Sequence, residues 1–228
     1  MKILLFDIDG TLIDAGPASG RAFNAAFKDL FYIDPVTDGV TIHGATDQQI
    51  CQDITIATFS RCLTDKEYSQ LIDRYVALLY VEIEVDPNYC VMPGVPELLQ
   101  TLKNHDDFLV GLQTGNIEQA VHAKLSRAGL FKFFDFGGFG TDSADRSEII
   151  SLALERAKDS HRIREVCLDD VFVIGDSPQD IKAAKKVGVK AIGVETGIYS
   201  FAELITEEPH CVISDLTDVE SIISLFLA

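Results

Sequence analysis

The chain has 228 residues, with 19 basic against 36 acidic side chains, a net charge of −17 and 47% hydrophobic residues. That length holds one large domain, or a core domain carrying an insertion, with enough apolar residues for a sizeable interior. The negative field repels nucleic acid and anionic membrane, so neither is expected as a partner, and an anionic substrate needs a site made locally positive.

The apolar run Ile3-Leu4-Leu5 reads as a buried strand, and Phe6-Asp7-Ile8-Asp9-Gly10-Thr11-Leu12 follows it. Two carboxylates, Asp7 and Asp9, thus sit where a strand gives way to a loop, the place where open α/β sheets bind ligands. The next zone, from about Asp14 to Met92, reads as entirely helical. Pro17 to Tyr32 carries Phe23, Ala26, Phe27 and Leu30 at helical spacing. Thr46 caps a helix running through Phe59. Thr64 caps a third, with Glu67 completing a capping box and Leu71, Tyr75, Leu78 and Leu79 forming its apolar stripe.

From Pro93-Gly94 onward helices and strands alternate. Helices are expected over Pro96–Lys103, Asn116–Ala128, Ser147–Asp159, Pro178–Val187 and Val219–Phe226. Strands are expected over Phe108–Gln113, Phe133–Phe136, Val171–Ile174, Ala191–Val194 and Val212–Ile213. This order predicts an α/β fold, a Rossmann-like doubly wound parallel sheet with helices on both faces. The all-helical block reads as a cap inserted into it, dividing the chain into a core of residues 1–13 and 93–228 and a cap of 14–92, with hinges near Asp14–Gly16 and Val91–Gly94.

Cys51, Cys62, Cys90, Cys167 and Cys211 are scattered, with no C-x-x-C spacing. They fit apolar filling in a reducing cytosol, so a cytoplasmic location is expected. The first residues lack a signal-peptide pattern, and no apolar run is long enough to span a membrane.

Three further polar clusters stand at strand ends or helix starts. Gln113-Thr114-Gly115-Asn116 offers a hydroxyl and backbone N–H groups to a phosphate oxygen, or simply a helix cap at Asn116. Gly175-Asp176-Ser177-Pro178-Gln179-Asp180 places Asp176 at a strand end and Asp180 in the first helical turn, where it can also serve as a cap. Arg146 can grip a phosphate, or can be a surface arginine paired with Asp145 or Glu148. Two like charges about 4 Å apart repel by roughly 4 kcal/mol at an effective dielectric near 20. If Asp7, Asp9, Asp176 and Asp180 converge, a cation must offset them, and oxygen-only ligands suit Mg²⁺ rather than zinc.

These clusters resemble the haloacid dehalogenase superfamily of phosphohydrolases. Asp7-Ile8-Asp9-Gly10-Thr11-Leu12 is similar to its D-x-D-G-T first motif, and Thr114 stands where the second-motif Ser/Thr belongs. Arg146 stands where the third-motif Lys or Arg belongs, and Gly175 to Asp180 are similar to the G-D-x-x-x-D fourth motif. The resemblance spans the chain, including a C1-type helical cap, and points to the phosphoglycolate phosphatase and β-phosphoglucomutase-like group. It implies Asp7 as nucleophile and Asp9 as proton shuttle. It further implies Mg²⁺ held by Asp7, Asp176 and the backbone carbonyl of Asp9, with Asp180 acting through water. Thr114, Gly115, Asn116, Arg146 and the loop N–H groups of Ile8 to Gly10 would hold the phosphoryl group.

The expected activity is Mg²⁺-dependent hydrolysis of a small phosphorylated metabolite, phosphoglycolate-like or a sugar phosphate, by a monomer or homodimer. Dehalogenases lack the second aspartate. A phosphonatase needs a cap lysine, for which Lys28 and Lys66 are the candidates. P-type ATPases need membrane helices. A sugar-phosphate mutase is the main rival, but it needs a cap residue to regrip a second phosphate, and the loop Thr41–Asp47 carries no Lys or Arg. His43 in that loop is a possible substrate contact. Receiver domains lack a helical cap, and a silent binding protein would be expected to lose Asp7 or Asp9.

Overall fold

The computed structural model describes residues 1–162 and 165–228. The first half contains β1 (Lys2–Phe6), β2 (Ile13–Asp14), α1 (Ala18–Phe31), α2 (Asp47–Phe59), α3 (Asp65–Val85), β3 (Cys90–Val91), α4 (Val95–Lys103), β4 (Phe108–Gln113) and α5 (Glu118–Ser126). The second contains β5 (Phe136–Gly138), α6 (Arg146–His161), β6 (Val171–Gly175), α7 (Pro178–Val187), β7 (Lys190–Val194), α8 (Phe201–Ile205), β8 (Cys211–Ile213) and α9 (Val219–Leu227).

Six strands form one sheet in the order β5-β4-β1-β6-β7-β8, and all its pairings are parallel. Successive side chains of β1 point to opposite faces, so each face has its own core. Leu4 and Phe6 join Leu98, Leu102, Val121 and Phe226 from α4, α5 and α9. Ile3 and Leu5 join Ile150, Ala153, Ile181 and Ala184 from α6 and α7. The near-continuous apolar strands are explained by cover on both sides. β1 lies between β4 and β6, where the strand order reverses, and Phe6 is level with Leu112 and Ile174. The loops after these three strands therefore open into one crevice.

Helices α1 to α3 are inserted between β1 and α4. Their core joins Ala18, Ala22, Ala26 and Phe27 of α1 to Ile54 of α2 and Leu71, Tyr75, Leu79 and Ile83 of α3. Ile117, Ala120 and Ala123 at the start of α5 belong to the same cluster, so the insertion is seated on the core. Thr46 caps α2, and Thr64 with Glu67 forms the expected capping box on α3.

The stretch 14–92 is not entirely helical. Its two ends pair as a short antiparallel ribbon, Ile13 with Val91 and Asp14 with Cys90. Two-residue strands leave no periodicity to read. The strand expected at Phe133–Phe136 lies at Phe136–Gly138, because Phe131–Phe133 first makes a 3₁₀ turn. A side chain on Gly138 would run into the Ile149 carbonyl of α6, so close packing demands glycine in a strand that composition argues against. The helix expected from Asn116 starts at Glu118 and stops at Ser126, ahead of Gly129. Helix α8 had no counterpart among the expected elements.

Candidate active site

The three central loops bring the acids together. Asp7 leaves β1 with its N–H on the Ile174 carbonyl, 2.9 Å away. Asp176 follows β6, and Asp180 is carried back by the first turn of α7. Carboxylate oxygens of Asp7, Asp176 and Asp180 all lie within 4.8 Å of one another, and all three residues are buried. Asp180 is held by the N–H and hydroxyl of Ser177, by Gln113 Nε2 at 2.9 Å and by Arg146. Ser177 caps α7 and Asp180 completes the capping box with one oxygen, accepting from Ser177, so it faces the cluster with the other. Gly10, in the left-handed region at φ 79°, approaches Asp176 so closely that a Cβ would collide with its carboxylate.

Arg146 opens α6 but points inward. Its guanidinium donates to Asp180 and stands 3.9 Å from Asp7 Oδ1. The surface pairing is excluded, since Asp145 instead caps α6 and binds Lys186. Each pair of acids at this separation repels by about 3–4 kcal/mol at an effective dielectric near 20, and one arginine neutralises one charge of three. Asp7 Oδ1 is buried without a hydrogen-bond donor. Burial first, and then Asp180, pushes the Asp7 carboxyl well above the usual carboxylate range. The same two causes push Asp176 up to about 7. An orphaned buried oxygen among three carboxylates fits a divalent cation with oxygen ligands. The side chain of Asp9 is outside this cluster.

Asp9 has a different environment. Its Oδ2 accepts from Lys124 Nζ at 2.7 Å and from Asn116 Nδ2 at 2.7 Å, while Oδ1 has no partner among the described residues. Lys124 also donates to Asn116 Oδ1 and is only 4% exposed. Burial alone would lower its affinity for a proton, but Asp9 and then Asp47 outweigh this and raise it. Lys124 was absent from the sequence reading. A signal existed, because it lies on α5 among buried Ala120, Val121, Ala123 and Leu125, where a lysine without an acidic partner would be costly.

Thr114 is fully buried, and its Oγ1 accepts from the N–H and the Nδ2 of Asn116, which leaves its own proton to donate. Two of the groups expected to contact phosphate have partners within the protein. The N–H of Gly10 donates to the Ile13 carbonyl at 2.8 Å and is spent within the loop, whereas those of Ile8 and Asp9 have no acceptor among the described residues. Asn116 neither caps α5 nor keeps a free donor, because its groups are committed to Thr114 and Asp9. Gly115 meets the insertion: its carbonyl accepts from the Asp47 N–H at 2.9 Å, and a Cβ would strike the Ala45 carbonyl.

The crevice opens into a cavity of about 560 Å³ between the strand ends and the inserted helices. His43 lies on its rim, whereas Lys28 and Lys66 are not among the lining residues.

Comparison with known proteins agrees with this geometry. Residues 4–194 match the family model described as haloacid dehalogenase-like hydrolase. A probable phosphatase, IndB, of Dickeya dadantii is 26% identical over 223 residues, covering 95% of this chain and 91% of that protein. A phosphoglycolate phosphatase of Synechococcus elongatus is 25% identical over 222 residues, covering 96% and 95%. A hydrolase from Pseudomonas syringae shares the fold with a TM-score of 0.72 at 20% identity, covering 99% of both chains.

Proposed function

The chain belongs to the haloacid dehalogenase-like hydrolases, and from that premise we propose that it is a Mg²⁺-dependent phosphatase that cleaves a small phosphorylated metabolite through an aspartyl-phosphate. The observation that carries this reading is the division of labour between two acids two residues apart. Asp7 sits buried among Asp176, Asp180 and Arg146, and Asp9 stands clear of them on Lys124 and Asn116.

Asp7 attacks phosphorus as the bond to the leaving oxygen breaks. Asp9 gives that oxygen a proton through its free Oδ1, then takes one from the water that hydrolyses the aspartyl-phosphate. Lys124 and Asn116 fix the other Asp9 oxygen and hence the direction of the first. The hydroxyl of Thr114, the N–H groups of Ile8 and Asp9, and Arg146 surround the position of the phosphoryl oxygens. Asp7 and Asp176, with Asp180 behind them, would hold Mg²⁺. When bound, the ion supplies charge stabilisation to the phosphoryl group.

The mutase reading finds less support. A second phosphate needs a cation on the cap side of the cavity, and the lysine and arginine lining it are Lys124 and Arg146, both already paired with core acids. No helix among the described residues is long and apolar enough to cross a membrane. The test is phosphate release from p-nitrophenyl phosphate with Mg²⁺, together with trapping of a phosphorylated chain whose label maps to Asp7. Turnover without a phosphorylated enzyme would exclude the covalent route.

A further inference from the structure

We propose that the leaving group of the substrate is uncharged and partly apolar, an alcohol larger than the two-carbon acid of phosphoglycolate. This rests on the phosphatase reading and concerns one wall of the same cavity. That wall is built by the inserted helices. Phe23 of α1, Ile50 and Ile54 of α2, and Ile72 and Tyr75 of α3 line it, and Ile42 stands at the mouth.

Charge complementarity argues the same way. The charged side chains that the insertion and its connections add to the lining are Asp14 and Asp47, both acidic. Lys124 reaches the cavity, but its ammonium is held by Asp9 and Asn116, and Arg146 is held by Asp180. A carboxylate on the leaving group would therefore meet apolar side chains and two acids, with no unpaired lysine or arginine among the described lining residues. His43, the neighbour of Ile42 in the chain, also lines the cavity but is exposed, and it accepts and donates no hydrogen bond among the described residues. An alcohol with an apolar face fits the wall. The cavity volume of about 560 Å³ falls in the range of sites that enclose ligands well beyond two carbons, roughly 300–1,000 Å³.

The test compares n-butyl phosphate, 4-(phosphonooxy)butanoate and phosphoglycolate, in the presence of Mg²⁺, as competitors of p-nitrophenyl phosphate hydrolysis. Butyl phosphate and 4-(phosphonooxy)butanoate differ only by the remote carboxylate, and competition reports affinity even for a slowly cleaved ester. Butyl phosphate is expected to bind about tenfold or more tightly than either carboxylated ester, since like charges across a site are strongly disfavoured. Ile42→Lys, at an exposed position of the mouth, is expected to narrow that gap at least severalfold by improving the carboxylated esters. Equal or tighter binding of the carboxylated esters by the wild-type chain, with p-nitrophenyl phosphate turned over, would overturn the substrate class and leave the phosphatase reading standing. No turnover of p-nitrophenyl phosphate would remove both.

Discussion

Lys124 Nζ lies 2.7 Å from Asp9 Oδ2, although 115 residues separate them in the chain. The lysine is buried and the acid is 43% exposed at its side chain, so the cation is the fixed partner and the acid is the one positioned. Replacing Lys124 by Met keeps an apolar side chain of similar length on α5 but frees Asp9. Steady-state kinetics are expected to show kcat lower by about ten- to a hundredfold with KM changed only a few-fold, because Asp9 acts at bond cleavage rather than in binding. A KM effect equal to or larger than the kcat effect would place Lys124 on the substrate instead.

Asp7→Asn removes the nucleophile and is expected to abolish both turnover and phosphoryl-enzyme formation. Asp9→Asn keeps the nucleophile and is expected to slow turnover by about 10²–10⁴-fold, the usual contribution of a positioned acid–base group. Quench-flow with labelled substrate separates the two. Phosphorylated enzyme in the Asp7 variant would reassign the attacking atom.

Arg146 is the one cation in direct contact with the three-acid cluster among the described residues. Arg146→Ala is expected to cost about 3–5 kcal/mol in the metal-free protein, as breaking a buried ion pair does, and to lower activity steeply. Arg146→Lys keeps the charge but loses the planar fork that reaches Asp180 and Asp7 together, so partial recovery of both stability and activity is expected. Chemical denaturation without metal is the measurement. Unchanged stability in Arg146→Ala would show that protonation of the acids already replaces the arginine.

Burial, and then the facing Asp180, pushes the Asp176 carboxyl up to about 7 when no metal is bound, and the same causes raise Asp7. An acid raised on folding favours the folded state while it is protonated. Its contribution is complete below the unfolded value of about 4 and is lost as pH climbs through about 7, by up to about 4 kcal/mol for Asp176. The metal-free protein is therefore expected to melt at lower temperature at pH 8 than at pH 5.5. Mg²⁺ competes with those protons, so it is expected to raise the melting temperature more at pH 8 than at pH 5.5. Scanning calorimetry with EDTA and with Mg²⁺ at the two pH values checks both. EDTA should also stop hydrolysis and added Mg²⁺ restore it.

The strands β1, β4 and β6 and the polar groups that follow them, acids after β1 and β6 and the Thr114 hydroxyl after β4, were readable because each is fixed by its own local pattern, an apolar run ending at a polar turn. The capping residues Thr46, Thr64 and Glu67 were readable for the same reason. What escaped was set by contacts distant in sequence. The ribbon of Ile13–Asp14 with Cys90–Val91 exists because the two ends of the insertion meet, and Gly138 lies in a strand because α6 presses on it. Asn116 looked like a cap, yet Asp9 and Thr114 take its side chain. The Gly10 N–H looked free, yet Ile13 folds back onto it.

By itself the sequence determined the reactive groups: two acids after the first strand, a hydroxyl after the second central strand and two more acids around the third. Apolar periodicity and strand-end chemistry are local, and they survive in the linear order of residues. The tertiary structure alone decided which charges meet. It turned Arg146 inward to Asp180 and brought Lys124 to Asp9. It also set an apolar helical wall in the cavity that Asp7 lines. Each of those outcomes depends on the distance between side chains far apart in the chain, and a buried charge is stabilised or penalised by its desolvation and by how near its partners stand.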